Sequence, residues 1–465
     1  MAASETPWGW AAGQPWDLLA RSERQANALR LRLRLDTLLA HARNHSPYYR
    51  RHWGDWQPGR SPWQALPPVH KRDLMAHFDD WVTDPRLKLA EIRQFLADPS
   101  RIGDDYLGRY AVWTSSGTSG EPGVFVHDPS ALAVYATLTA TRRDGRDAFS
   151  NLMQGFTMAR ARSSLVAADE GHYAGISFWK RQCRLYPWLG ANTQVLSVTA
   201  PEAELVAQLN AFQPDFLVSY PSMLAELARA QETGDLHITP RALWAGGERL
   251  APATRAYVSQ VFGAPITNDY GASECMTIGF ECPHGRLHVN DDWVLLEPID
   301  EQGQPVPPGV ASHSVLLTNL ANQVQPIIRY ALGDSVTVDT EPCPCGNPRL
   351  SIEVAGRCDD TLCLRGAGGR LVHVSPMALT TALEEAADVH RFQLRQTGRD
   401  AIELRLDLLH EPAPKAKQQQ ALQALRRFFS DQGLAQVHLH FNPAMPLMEP
   451  HSGKLRQVVA QHPQA

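Results

Sequence analysis

A chain of 465 residues has room for more than one domain, and its 43% hydrophobic and 20% charged content is that of an ordinary water-soluble globular protein. A formal net charge of −5 gives no electrostatic case for nucleic acid or an anionic membrane, and no apolar run approaches the roughly 20 residues that span a bilayer. Seven cysteines, an odd number in a long chain without a recognisable secretory leader, do not read as a disulfide framework and point to a reducing cytoplasm.

The first predicted element is an amphipathic helix from about Trp16 to Arg43, where leucines recur at helical spacing between arginines. It suits either a cover for the main sheet or a dimer contact, so a monomer or a homodimer is expected. After the apolar stretch Tyr110 to Trp113 comes an unbroken run of hydroxyl-bearing residues and glycines, Thr114 to Gly120, then Glu121-Pro122-Gly123. Glycines let backbone N–H groups converge without Cβ obstruction, and Ser and Thr add donors, so this loop suits a polyphosphate. No Gly-Lys-Ser/Thr follows at Walker spacing, so it is not a loop of that kind.

Beyond the loop, helices and short apolar strands alternate. Helices are predicted at 131–141, 201–211, 223–233 and 251–262, with strands at 193–198, 215–219 and 242–245. That alternation predicts a parallel-sheet α/β core. After about 285, short strands near 293–297, 314–319 and 335–339 predict a β-rich subdomain. From Asp360 onward, a helix near 376–385, a strand at 402–407 and a helix at 415–432 predict a small α+β tail.

Four more segments concentrate chemistry. Tyr270-Gly-Ala-Ser-Glu274 offers a hydroxyl and a carboxylate together, a pairing able to bond a phosphate and hold Mg²⁺ beside it. Arg329-Tyr-Ala-Leu-Gly-Asp334 sets a carboxylate after a glycine, suited to a ribose diol. Gly356-Arg-Cys-Asp-Asp360 lies at the seam between the larger and smaller parts, and Ser452-Gly-Lys-Leu-Arg456 presents a lysine on a glycine turn. Singly, each is ordinary turn or surface chemistry. Their order and spacing are what is specific.

Taken together, these segments resemble the adenylate-forming superfamily of acyl- and aryl-CoA ligases, carrier-protein adenylation domains and luciferases. Within it the chain is most similar to the phenylacetate–CoA ligase-like branch, from about Leu38 to Arg456. The resemblance implies a large N-terminal adenylate-forming domain, residues 1–357, with parallel-sheet layers and a β-rich subdomain at about 280–350. A small mobile α+β lid, residues 358–465, would follow. ATP, Mg²⁺, and CoA or a carrier protein's phosphopantetheine are the cofactors it implies. The expected activity is ATP-dependent formation of an acyl-adenylate and transfer of the acyl group to a thiol.

Residue by residue, the resemblance implies that Ser115, Ser116, Gly117, Thr118, Ser119 and Gly120 cradle the β- and γ-phosphates. Gly246, Gly247 and Glu248, with Asn268 and Asp269, would line the adenine site, and Tyr270 would join the cofactor-binding set. Ser273 would contact the α-phosphate, Glu274 would help hold Mg²⁺, and Asp334 would bind the ribose hydroxyls with Arg357 assisting. Asp359 and Asp360 would form the hinge, and Lys454 would stabilise charge developing between the acid and the α-phosphate. Many superfamily members carry a lysine just after the glycine-rich loop. This chain has Glu121-Pro122-Gly123 there, as the phenylacetate–CoA ligase-like branch commonly does.

Two readings concern metal and substrate. Cys343 and Cys345, with Cys282 and a nearby histidine, fit a four-ligand structural zinc site, and the resemblance implies one as well. His288 matches the branch better, while His284 also makes a feasible chelate with Cys282. The pocket walls are expected from Tyr220, Pro221, Phe178, Trp179, Gly271 and Ala272, whose aromatic content favours an aryl or medium acyl acid. Delivery to a carrier protein or another nucleophile, and a catalytically silent ligand-binding homologue, are the competing readings.

Overall fold

In the first half of the chain, short apolar strands are followed by helices that return the chain across the sheet, so that the strands lie parallel. The computed structural model describes residues 14–115, 122–142, 161–169, 171–198, 200–357, 362–366, 371–374, 376–387, 389, 391–409, 411–448 and 455–460. A hairpin of β1 (Ala111–Thr114) and β2 (Val124–His127) brackets the glycine-rich loop. β3 (Ser163–Ala167), β4 (Thr193–Ser197), β5 (Phe216–Ser219), β6 (Ala242–Ala245) and β7 (Ile266–Ala272) then form a parallel set in the order β7-β6-β5-β3-β4.

β7 is the seam of the sheet. It runs parallel to β6 but turns straight back into β8 (Cys275–Glu281), which pairs antiparallel with it and with β9 (Leu287–Val289). β10 (Val294–Ile299), β11 (Ser314–Asn319) and β12 (Ile327–Ala331) make a separate antiparallel sheet. β13 (Asp334–Val338) and β14 (Ser351–Arg357) complete the antiparallel half of a nine-stranded sheet, β14 pairing with β9. Toward the C-terminus come the hairpin of β15 (Leu362–Arg365) and β16 (Leu371–Val374) and a four-stranded sheet. That sheet joins β17 (Phe392–Gly398), β18 (Ala401–Leu406), β19 (His438–Asn442) and β20 (Val458–Val459) in the order β19-β18-β17-β20.

Three main apolar cores sit around these sheets. One joins residues 35–135 to the antiparallel region, one fills the parallel layer, and one lies wholly within residues 362–458. The helix Pro221–Thr233 shows how sequence writes such an element. Proline at its first turn has no N–H to leave orphaned, Gly234 at φ +82° ends it, and Met223, Leu224, Leu227 and Ala228 form its buried stripe. Each fully buried leucine there contributes about 1.5–3 kcal/mol.

The α/β core matches the sequence reading, with ends shifted by a few residues: the helix read at 131–141 spans Pro129–Arg142, and that at 376–385 spans Pro376–Ala387. One difference matters for the site. Tyr270 to Glu274 reads as a loop in the sequence, yet β7 continues through Ala272 and leaves only Ser273 and Glu274 to turn. No described helix is long and apolar enough to cross a membrane.

Candidate active site

The carboxyl ends of β5, β6 and β7 lie side by side, with Ser219 opposite Ala245 and Ala245 opposite Asn268. In parallel sheets, ligands bind beyond such ends, where backbone amides and loops converge. A cavity of about 1350 Å³ opens there. Its walls include Ser115, Pro221, Gly247, Glu248, the whole run Asn268 to Glu274, and Asp334. Segments spread over more than two hundred residues of chain thus meet in one place. Tyr220, Phe178, Trp179 and Gly246 are not among the described lining residues. Tyr220 accepts a hydrogen bond from the Ala168 amide at 3.3 Å, while Phe178 packs on the first core and Trp179 on a small cluster with Ile176. Ser116, Gly117, Thr118, Ser119, Gly120, Asp359, Asp360 and Lys454 lie outside the described residues, and of Arg357 the backbone alone is described, as the last residue of β14.

The Ser273–Glu274 turn is held from behind by an apolar-walled hydrogen-bond scaffold. The Ser273 carbonyl accepts from Trp113 Nε1 at 2.8 Å and lies 3.2 Å from His127 Nε2. A carbonyl only accepts, so Nε2 carries the imidazole proton and Nδ1 accepts from the Tyr135 hydroxyl at 3.2 Å. Asn319 Nδ2 then donates both to Tyr135 and, at 3.0 Å, to the Glu274 carbonyl. His127 is fully buried and stacks on Trp113 at 4.1 Å between centroids. Burial pushes its pKa down to about 3, so it stays neutral and serves as a positioning group. The Glu274 side chain is 7% exposed and accepts from the Tyr330 hydroxyl at 2.7 Å, which orients one carboxylate oxygen.

Around the turn, Tyr270 donates to Asp334 at 2.7 Å, tying β7 to the start of β13. Gly271 has no room for a side chain: a Cβ there would stand 2.2 Å from the Met276 carbonyl oxygen of β8. Ser115 bonds Gly123 twice, amide to carbonyl and amide to hydroxyl at 2.9 Å each, so the two ends of the glycine-rich loop are clamped together.

Sequence reading missed the cation at this clamp. Lys71, half-buried at the start of the helix Lys71–Ala76, lines the same cavity, and its stem lies beside Gly123. That helix is locked in place on both sides. Val69 bridges Tyr330 through backbone bonds to Arg329 and Ala331, and Met75 Sδ accepts from the Val124 amide at 3.4 Å. The only local signal is a basic pair after Pro67-Pro68, with no spacing to the loop that a linear motif could show. Arg329, by contrast, works structurally: at φ +49° it bonds Glu297 and the carbonyls of Gln64 and Leu66.

Against the antiparallel half lies a candidate metal centre. The ligand atoms of Cys282, His288, Cys343 and Cys345 fall within 4.8 Å of one another. Cys282 Sγ is 3.6 Å from Cys343 Sγ, and Cys345 Sγ is 3.3 Å from His288 Nε2. Tetrahedral zinc with Zn–S near 2.3 Å requires ligand separations of about 3.3–3.8 Å, so the cluster fits that ion. His288 Nδ1 faces the Arg349 carbonyl at 3.2 Å, which leaves Nε2 free to ligate. His284 is exposed and outside the cluster, so the geometry selects His288.

Comparison with known proteins agrees with this layout. Residues 109–313 match the family described as AMP-binding enzyme. The chain is 26% identical over 307 residues to a phenylacetate–coenzyme A ligase of Thermus thermophilus, covering 64% of this chain and 65% of that one. A Staphylococcus aureus protein named CapK is 27% identical over 168 residues, 35% of this chain and 36% of its own. The chain thus spans just under two thirds of the first relative's length and about a third of the second's. Among solved structures, a 2-hydroxyisobutyryl-CoA ligase in its postadenylation state gives a TM-score of 0.68 at 21% identity, covering 93% of this chain and 89% of that one. The same ligase in an open conformation gives 0.56, and in its thioesterification state 0.54. The likeness is one of fold.

Proposed function

We propose that the protein activates a carboxylic acid with ATP as an acyl-adenylate and then passes the acyl group to a thiol, with CoA as the preferred acceptor. The observation that carries this reading is the Ser273–Glu274 turn. It is rigidly backed by Trp113, His127 and Asn319 and faces a cavity that also holds Ser115, Lys71 and Asp334.

The acid's carboxylate oxygen attacks the α-phosphorus, the bond to the β-phosphate oxygen breaks, and pyrophosphate leaves. Two anions must meet, so the barrier is mainly electrostatic and positional. Ser273 directs the α-phosphate, Asp334 holds the ribose, and the loop from Ser115 with Lys71 takes the departing charge. Glu274 would hold Mg²⁺, which supplies charge neutralisation when bound. In the second step a thiolate attacks the acyl carbonyl and AMP leaves. The third core, residues 362–458, acts as a lid that turns between the steps and carries Lys454 toward the first one. An aryl or medium acyl acid is the substrate class expected from the sequence, and Cys282, His288, Cys343 and Cys345 would hold a structural zinc that would stiffen the strands beside the cavity.

ATP–pyrophosphate exchange over a panel of aryl, medium-chain and small hydroxy acids tests this, followed by product masses with free CoA or a holo carrier protein. Exchange that depends on one acid class is expected, with thioester formed on CoA. Absence of exchange with every acid defeats the reading.

A further inference from the structure

One carboxylate at the cavity joins two parts of the molecule that share no core. Glu248 follows Gly246 and Gly247 at the end of β6, Gly247 taking φ +78° to turn the chain into the cavity. Its Oε2 accepts from the Ser222 amide at 3.1 Å, in the first turn of the helix Pro221–Thr233. Its Oε1 accepts from the Leu455 amide, also at 3.1 Å. Leu455 belongs to the segment leading into β20, fastened to β17 by the Leu394 amide on the Gln457 carbonyl at 2.7 Å and by Gln393 Nε2 on the Arg456 carbonyl at 3.1 Å. Val458 is part of the third core.

The two bonds differ in kind. The Ser222 bond lies within the parallel layer and satisfies one of the amides that a helix leaves open at its start. The Leu455 bond crosses to the third core, so any rotation of that core must break it. Both are charge-assisted and among the stronger hydrogen bonds available to a backbone amide. When Leu455 leaves, the freed oxygen still faces the cavity, where water can replace the amide. Breaking the bond is therefore reversible rather than prohibitive.

We propose that Glu248 is a positioning residue, a two-ended latch that seats the 455–458 segment for acid activation and lets go of Leu455 for thioester formation. This rests on the reading given under Proposed function. A carboxylate placed only to line the adenine site would have no need of the Leu455 amide.

Hydrogen–deuterium exchange on the full-length wild type, Glu248→Gln and Glu248→Ala provides the first test. The alanine variant is expected to exchange the Leu455-containing peptide at least tenfold faster, with β17 and β18 unchanged. The glutamine variant, which keeps one accepting oxygen, should fall between. With an acid that the wild type accepts, pyrophosphate exchange should drop about tenfold or more in the alanine variant. Thioester formation from supplied acyl-adenylate and CoA should fall several-fold less than pyrophosphate exchange does, so that the two half-reactions split. Equal losses in both half-reactions, or weaker AMP binding with Leu455 exchange unchanged, would overturn the latch in favour of a nucleotide contact. If the wild type shows no pyrophosphate exchange with any acid, the activity reading fails, while the exchange of Leu455 still decides the latch.

Discussion

Replacing Gly271 by alanine inserts one methyl group between two strands. In the present geometry that carbon would stand 2.2 Å from the Met276 carbonyl oxygen and 3.0 Å from its carbon, where ordinary contact begins at 3.4 Å. The obstacle is backbone and has no rotamer to escape into, so β7 and β8 must part by about 1 Å, at a typical overpacking cost of ~1–3 kcal/mol. The pair Ala272 and Cys275, which closes the turn, lies immediately beyond the forced opening. Ser273 and Glu274 therefore move with it, and a misplacement of about 1 Å in a reacting group costs up to ~100-fold in rate. Gly246→Ala is the control, because a Cβ there meets nothing within 4 Å. Thermal unfolding of both variants, with ATP–pyrophosphate exchange for Gly271→Ala, gives the readout. Gly246→Ala should match the wild type in stability to within about 0.5 kcal/mol. A Gly271→Ala protein as stable as that control and as active as the wild type would refute the close-approach argument.

Other outcomes follow from the same site. Lys71→Gln should weaken ATP and pyrophosphate binding about tenfold or more by calorimetry while leaving AMP unchanged, since AMP lacks the β- and γ-phosphates; equal weakening of AMP would assign Lys71 to folding instead. His127 has a folded-state pKa of about 3 against an ordinary 6.5, so the unfolded chain takes up a proton between those values and the folded protein does not. Stability is then present above pH 6.5 and falls by about 1.4 kcal/mol per pH unit on acidification below it. Urea unfolding at pH 6.5 and 4.5 should show a smaller acid loss for His127→Gln, and identical losses would contradict the assignment. Purified protein should carry about one equivalent of zinc. Cys345→Ser or a strong chelator should remove the metal and lower the unfolding temperature, whereas metal analysis finding less than about a tenth of an equivalent in the wild type would end the zinc proposal.

Much of this was legible in the chain because the signals are local. The 3.6-residue stripe of Met223, Leu224 and Leu227, proline at the first turn and glycine past the last suffice for a helix. The apolar runs at β5 and β6 are short enough that flanking turn residues separate strand from helix. The Cys343–Cys345 spacing marks a candidate metal centre, although it is β9 pairing with β14 that brings His288, and not His284, beside Cys345. Other features rest on distance in sequence. Nothing around His127 distinguishes it from a surface histidine until Trp113, Tyr135 and Ser273 close around it. Lys71 approaches Gly123 only because Val69 is paired to β12. The aromatic residues Tyr220, Phe178 and Trp179 look like pocket walls from composition, and the structure sets them half-buried against apolar clusters, a placement composition alone does not specify.

The first core has a consequence for anyone wishing to cut the protein into pieces. The region that matches a family by sequence begins at residue 109, but Tyr49 and Trp81 both donate to the Pro326 carbonyl, Thr83 bonds Val324, and Val69 is stitched to the strand bearing Tyr330. Leu74 and Phe78 share their burial with Trp113, Phe125 and Ile327. A fragment trimmed to the matching residues would lose the strand β12, and with it the Tyr330 hydroxyl that orients Glu274. It would also bare the apolar face that residues 35–95 now cover. The unit of inheritance seen in sequence and the unit of cooperative folding are therefore different objects. Chimeras that exchange substrate preference between such proteins should keep residues 35–95 with the sheet they cover.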